Sequence, residues 1–251
     1  MYLIGDIGNT EIKLCILDDN LKINKNISLK TNLITKKYIK KKMKIFIKNS
    51  QYLKYSLFCS VVPKVYNMFY NVLKLNYKLK CYELKKLSIK GLIKLSVNLN
   101  QIGSDRLSNA ISVSDTKNNY IVVDFGTATT FDVINKNVYL GGIIAPGVKL
   151  SLENLVNKAS LIHKIKLKKM TNIIGKNTSS SVKSGFYWGY VGLVNNLIKL
   201  IIKTTKKKYN IILTGGLSNM FNDALIYKSI IDKSVTLKGL IKVIKHKKNE
   251  K

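Results

Sequence analysis

Twice in this chain an apolar strand runs out into an aspartate, a glycine and a hydroxyl residue. One copy is Val122-Val123-Asp124-Phe125-Gly126-Thr127; the other is Leu3-Ile4-Gly5-Asp6-Ile7-Gly8-Asn9-Thr10, roughly half a chain earlier. Each is followed by a second alternating run, Glu11-Ile12-Lys13 after the first and Ala128-Thr129-Thr130 after the second. Glycine in such a turn lets backbone approach a ligand closely. Successive N–H groups of the turn make a concavity suited to phosphate. Thr10 and Thr127 add hydroxyl donors, and Asp6 and Asp124 can hold a cation beside those phosphates. A single copy reads as an ordinary hairpin with an Asp-Gly turn. Two copies, each after a strand, point to two related halves facing one another across a cleft.

The rarest residues mark a second group. The only arginine, Arg106, stands in Gly103-Ser104-Asp105-Arg106; the only prolines are Pro63, after Ser60-Val61-Val62, and Pro146, in Gly141-Gly142-Ile143-Ile144-Ala145-Pro146-Gly147. In a chain that otherwise uses lysine, one arginine suggests a place that needs a planar guanidinium fork. An Asp-Arg step at a helix start is also what an N-cap with an ion pair looks like.

Composition bounds what these groups can serve. The 251 residues are 46% apolar, enough for one large or two small cores, and mean hydropathy is +0.02. No apolar run reaches the roughly 18 residues a membrane span needs, so no membrane partner is expected. The opening residues run straight into a strand with no basic leader, so no signal peptide and a cytoplasmic location are expected. Cys15, Cys59 and Cys81 are scattered through apolar segments, which suits reduced buried thiols rather than a metal or redox site. The net charge of +31 is spread along the chain as lysine. Base-reading proteins favour arginine, so nucleic acid is not the expected partner. The charge reads as a solvated surface that steers acidic small molecules.

The elements that must position these residues follow from periodicity. Residues 2–8, 11–17 and 22–29 read as strands, 35–48 as a lysine-rich amphipathic helix, and 55–62 as a strand with Pro63 opening a helix to about 75. A strand at 78–82, an irregular stretch at 83–102 and a helix at 105–114 complete an α/β half. Strands at 120–125, 129–134 and 138–144 repeat the opening. Helices at 148–158 and from Gly175-Lys176-Asn177-Thr178 to about 205 follow, then a strand at 210–213 ending in Gly215-Gly216, where a flat ring could lie against backbone. Gly185, Gly189 and Gly192 recur on or near one face of the long helix, which suits close packing within the chain or against a second subunit. The lysine-rich tail from Lys242 reads as frayed, and His163 and His246 read as surface residues. The boundaries expected are 1–115 for one half and 116–251 for the other.

The ordered set Asp6-x-Gly-Asn-Thr, Gly-Ser-Asp105-Arg106, Asp124-x-Gly-Thr, Gly-Gly-x-x-x-Pro146-Gly, Gly-x-x-Thr178 and Gly215-Gly216 resembles the type III pantothenate kinases from residue 2 to about 220. The resemblance implies the α/β actin and sugar-kinase ATPase fold, two ribonuclease-H-like halves with ATP in the cleft between them. It implies transfer of the ATP γ-phosphoryl group to the primary hydroxyl of pantothenate, giving 4'-phosphopantothenate in the first step of coenzyme A synthesis. It also implies a homodimer that uses Mg²⁺ and a monovalent cation, K⁺ or NH₄⁺. On this resemblance the ATP-binding residues are Asp6, Ile7, Gly8, Asn9, Thr10, Glu11, Ile12, Lys13 and Thr127, with Asp6 organising Mg²⁺ and Lys13 reaching a phosphate oxygen. Gly103, Ser104, Asp105 and Arg106 bind the substrate, Asp105 as general base. Asp124 is the monovalent-cation ligand, and Thr178 is a substrate contact from the partner subunit; a plain N-cap is its other reading.

The chain departs from the family where a tyrosine usually precedes the Gly-x-Asp-Arg glycine by seven residues. That position is Ser96, the proline expected three residues on is Leu99, and Tyr82 is the aromatic at hand to compensate. The alternative function is a nucleic-acid-binding regulator on the same scaffold, which the charge favours and the full acidic set opposes.

Overall fold

The computed structural model describes residues 1–47, 52–162 and 165–249; His163 lies outside them. The chain forms two compact units, Met1–Val113 with Ser234–Lys251, and Ser114–Lys233.

The first unit is built on a sheet whose strands run β3-β2-β1-β4-β5. These are β1 (Tyr2–Ile7), β2 (Glu11–Leu17), β3 (Ile23–Lys30), β4 (Ser56–Ser60) and β5 (Cys81–Glu83). The opening three pair antiparallel, and β1, β4 and β5 pair parallel. The parallel pairings require crossovers, and two helices supply them. Helix α1 (Lys36–Phe46) starts where the Thr35 side chain accepts the Tyr38 N–H at 3.1 Å, and it buries Ile39, Met43 and Phe46 at helical spacing. Helix α2 (Pro63–Tyr77) opens on Pro63 and stops at Lys78, whose φ of 51° cannot continue it. Both pack on the sheet face that carries Leu3, Ile7, Ile12 and Phe58.

Strand alternation turns Ile4 and Asp6 to the other face. Helix α3 (Ser104–Val113) contacts β4, and the terminal helix α7 (Val235–Asn249) contacts β1. A two-residue strand, β6 (Lys94–Leu95), interrupts the irregular stretch before α3.

Helix α7 departs from the sequence reading in two ways. It is ordered through Asn249 rather than frayed from Lys242, and it groups with the first unit rather than with residues 116–233. The reason is its apolar stripe: Val235, Leu240, Val243 and Ile244 are buried at 0% exposure, a helical period that the interspersed lysines obscure. Ser108 Oγ donates to the Thr236 carbonyl at 2.7 Å and Thr236 Oγ1 to Asn109 Oδ1 at 2.8 Å, so α7 also grips α3 through polar contacts. His246 lies half-exposed, its Nε2 2.9 Å from the Lys90 carbonyl.

The second unit repeats the plan. Its strands β7 (Asn119–Phe125), β8 (Ala128–Asn135), β9 (Val138–Pro146), β10 (Asn210–Gly215) and β11 (Ser229–Ile231) run β11-β10-β7-β8-β9. The opening three are again antiparallel, and β7, β10 and β11 parallel. The repeat visible in the residues is thus a repeat of topology. Helices α4 (Val148–Lys158), α5 (Thr178–Thr205) and the single turn α6 (Ser218–Phe221) complete it. Val191, Val194, Ile198 and Ile201 of α5 pack on Ile121, Val123 and Phe131 of the sheet. The opposite stripe of α5 carries Gly185, Gly189 and Gly192; a Cβ at any of them would meet nothing within 4 Å among the described residues. Packing among the described residues therefore does not account for those glycines.

Candidate active site

In the first unit the strand register gathers the acidic centre. Asp6, next to last in β1, stands opposite Lys13 in β2 and Cys59 in β4. Gly5 beside it is a packing requirement, since a Cβ there would strike the Phe58 ring at 2.4 Å. The Cys59 thiol, fully buried, donates to Asp6 Oδ1 at 3.5 Å. Burial and the neighbouring Asp6 and Asp105 charges push that thiol well above its ordinary range, so it stays a proton donor.

Burial raises the Asp6 carboxyl from 3.8 to about 6, and the charge of Asp105 adds to the rise; the Cys59 hydrogen bond and the Lys13 ammonium oppose it. Asp105 is raised too, chiefly by burial, while the Arg106 N–H and guanidinium pull it down. The Arg106 N–H donates to Asp105 Oδ1 at 2.7 Å. That oxygen lies 2.6 Å from where a Cβ on Gly103 would sit, so only glycine leaves it room. Asp6 and Asp105 are thus two carboxylates of one unit, each resisting ionisation chiefly because it is buried.

The turn after β1 is tight. Gly8 N–H donates to the Glu11 carbonyl at 3.0 Å, while Thr31 holds it from outside through the carbonyls of Gly8 and Thr10. Asn9, Thr10 and Glu11 are exposed at its tip. Ile7 and Ile12 are not surface contacts: their side chains are fully buried, and only their backbone can face a ligand. Lys13 is partly exposed with its ammonium 3.9 Å from Glu11.

In the second unit Asp124 takes the equivalent place, opposite Thr130 in β8 and Thr214 in β10. Its turn is one residue shorter, with Gly126 N–H donating to the Ala128 carbonyl at 3.0 Å. Thr127 is exposed at the tip. Two glycines shape this corner. A Cβ on Gly147 would lie 2.0 Å from the Thr127 carbonyl, so the residue after Pro146 is what lets α4 begin against the turn. Gly215, with φ of +83°, runs hard against this corner: a Cβ there would lie 2.5 Å from both Asp124 Oδ1 and the Phe125 carbonyl oxygen, leaving no room for a side chain between two oxygens. A carboxylate beside a carbonyl oxygen suits a hard cation.

Thr178 is exposed at the first position of α5, and the cap is its neighbour: Asn177 Oδ1 accepts the Ser180 N–H at 2.9 Å. Tyr82, the aromatic nearest in sequence to the departure at Ser96, is half-buried. Its ring lies edge-on to Tyr55 at 5.5 Å, with the Lys247 ammonium 5.3 Å from its centre. Two residues of the acidic centre escaped the sequence reading, Cys59 and Glu83. Cys59 carried a signal, since it immediately precedes the rare Ser60-Val61-Val62-Pro63 run.

Comparison with known proteins fits this arrangement. Residues 2–200 match the family model for type III pantothenate kinase. A type III pantothenate kinase of Pelagibacter ubique (strain HTCC1062) is 50% identical over 242 residues, covering 96% of this chain and 98% of that protein. Among solved structures, a Campylobacter jejuni protein described as belonging to a Baf family of transcriptional activators aligns at a TM-score of 0.64 and 19% identity, over 98% of this chain and 99% of that one. The activator of the 2-hydroxyisocaproyl-CoA dehydratase from Clostridium difficile, solved with bound ADPNP, aligns at 0.55 and 10% identity, over 100% and 97%. The fold is that of the actin and sugar-kinase ATPases, with two ribonuclease-H-like halves.

Proposed function

The chain belongs to the type III pantothenate kinase family, and from that membership we propose that it transfers the γ-phosphoryl group of ATP to the primary hydroxyl of pantothenate. The observation that carries the reading to particular residues is the pairing of Asp6 and Asp105 in one unit, each carboxyl raised and each sensing a charged neighbour.

Phosphoryl transfer asks a protein chiefly for positioning and charge stabilisation. Asp105 accepts the proton of the pantothenate hydroxyl as the oxygen attacks phosphorus; a raised carboxyl is the better base for that step. Arg106 binds the substrate and offsets charge. The Gly8–Thr10 turn offers N–H and hydroxyl donors to the phosphates, Lys13 adds a point charge, and Thr127 contacts the nucleotide from its own turn. Asp6 fits Mg²⁺ because its carboxylate, pressed by the Asp105 charge, gains from a cation; bound Mg²⁺ supplies charge neutralisation on the phosphates. Asp124 fits K⁺ or NH₄⁺ through the chemistry of its carboxylate beside the Phe125 carbonyl. The open glycine stripe of α5 supports a homodimer, with Thr178 reaching the partner's substrate.

The test is a coupled ADP-release assay with pantothenate, with and without K⁺. Turnover should require both, and Asp105→Asn should lower kcat by about a hundredfold or more, within the range expected for loss of a general base, with the fold intact. Wild-type turnover in that variant removes Asp105 from the role.

A further inference from the structure

We propose that Glu83 is a positioning residue for the substrate-binding turn, tying the end of β5 to the first residue of α3 so that Asp105 is held in place. The proposal rests on the kinase reading above for its kinetic consequence, though not for its geometry.

Glu83 is the last residue of β5, in register with Phe58 of β4, and so belongs to the sheet. Its two carboxylate oxygens point to different tasks. Oε2 accepts the Lys85 N–H at 2.9 Å and closes the turn that leaves the strand. Oε1 accepts the Ser104 hydroxyl at 2.6 Å, across 21 residues of sequence. Ser104 is 1% exposed, so this is an interior contact, and a hydrogen bond to a carboxylate is the stronger kind. Ser104 sits between the two residues that locate the base: Gly103, which leaves room for Asp105 Oδ1, and Asp105 itself. The bond commits the Ser104 hydroxyl proton to Glu83 and leaves that oxygen only as an acceptor. The intervening segment, residues 84–103, is mostly irregular. Without the bond, the first turn of α3 would depend for its registry with β5 on that segment and on the contacts the helix makes with β4 and α7.

The experiment compares wild type with Glu83→Gln, Glu83→Ala, Ser104→Ala and the Glu83→Ala/Ser104→Ala double variant. Steady-state kinetics are read with pantothenate and ATP, and amide exchange at Arg106 and Leu107 without substrate. Each alanine variant should lower kcat by about tenfold, since small displacements of a reacting group are costly, while the KM for ATP holds within about twofold. Glu83→Gln keeps an acceptor for Ser104 and should stay within about threefold of wild type. The double variant should be no worse than either single one, as for two partners of one interaction. Exchange at Arg106 and Leu107 should quicken in the alanine variants and not in Glu83→Gln. Multiplying losses in the double variant, or wild-type exchange in Glu83→Ala, would overturn the proposal. A wild-type protein inactive on pantothenate would instead overturn the kinase reading, and the exchange rates would still decide the role of Glu83.

Discussion

Asp6 shows how a single residue can be costly to the fold and useful to the site. A carboxyl raised to about 6 holds a proton in the folded state that the unfolded chain, near 3.8, has already released. Folding is therefore favoured by this group below about pH 4, and that advantage drains away as pH rises through about 6. With a pKa unit worth about 1.4 kcal/mol, the ionised side chain costs at most about 3 kcal/mol at neutral pH. Asp6→Asn should accordingly be the more stable protein at pH 7.5 without divalent cations, and the two should converge towards pH 4. Thermal unfolding across that range checks it. A gap that widened on acidification would contradict the cause given for the shift. Added Mg²⁺ should narrow the neutral-pH gap, because a cation stabilises only the carboxylate.

At the scale of elements, α3 and α7 act as a pair, and Gly239 is their closest approach. A Cβ there would lie 2.0 Å from the Ser108 carbonyl, a backbone atom that cannot swing aside. Gly239→Val should therefore destabilise the first unit by about 3 kcal/mol or more, as overpacking against backbone does, and should lower kcat by displacing the helix that carries Asp105. Urea unfolding with parallel kinetics tests both halves of that expectation. Gly239 is also a fair measure of what the residues alone disclosed. The opening strands, α1, α2 and α4 were legible because their apolar periods are clean and Pro63 and Pro146 mark the approach to α2 and α4. The Asp6 and Asp124 turns were legible because the same residue types recur at the same spacing. Helix α7 was not, because lysines are interspersed along its stripe, and its partner α3 lies more than a hundred residues away. Glu83 was hidden for a similar reason: nothing local distinguishes a strand-end glutamate bonded to the next turn from one bonded to Ser104 as well.

For the whole molecule, the formal charge of +31 sets a field rather than a fold. Among the described residues no helix is long and apolar enough to cross a membrane, and the few ion pairs include exposed ones, such as Lys54 with Asp19 at 3.0 Å. Most lysines are thus left to attract anions. The KM for ATP should rise several-fold as ionic strength goes from about 0.05 to 0.5 M, where the screening length shrinks to a few ångströms, while kcat stays level. A KM indifferent to salt would mean the field plays no part in capture.

Helix α7 carries a consequence for how the protein is made. The unit holding Asp6 and Asp105 is completed by Val235–Asn249, a stretch that follows the whole of the other unit, residues 114–233, in the sequence. During vectorial synthesis the later unit can therefore mature ahead of the earlier one. Helix α3, which carries Asp105, thus meets its partner α7 only after the whole of the other unit has been made.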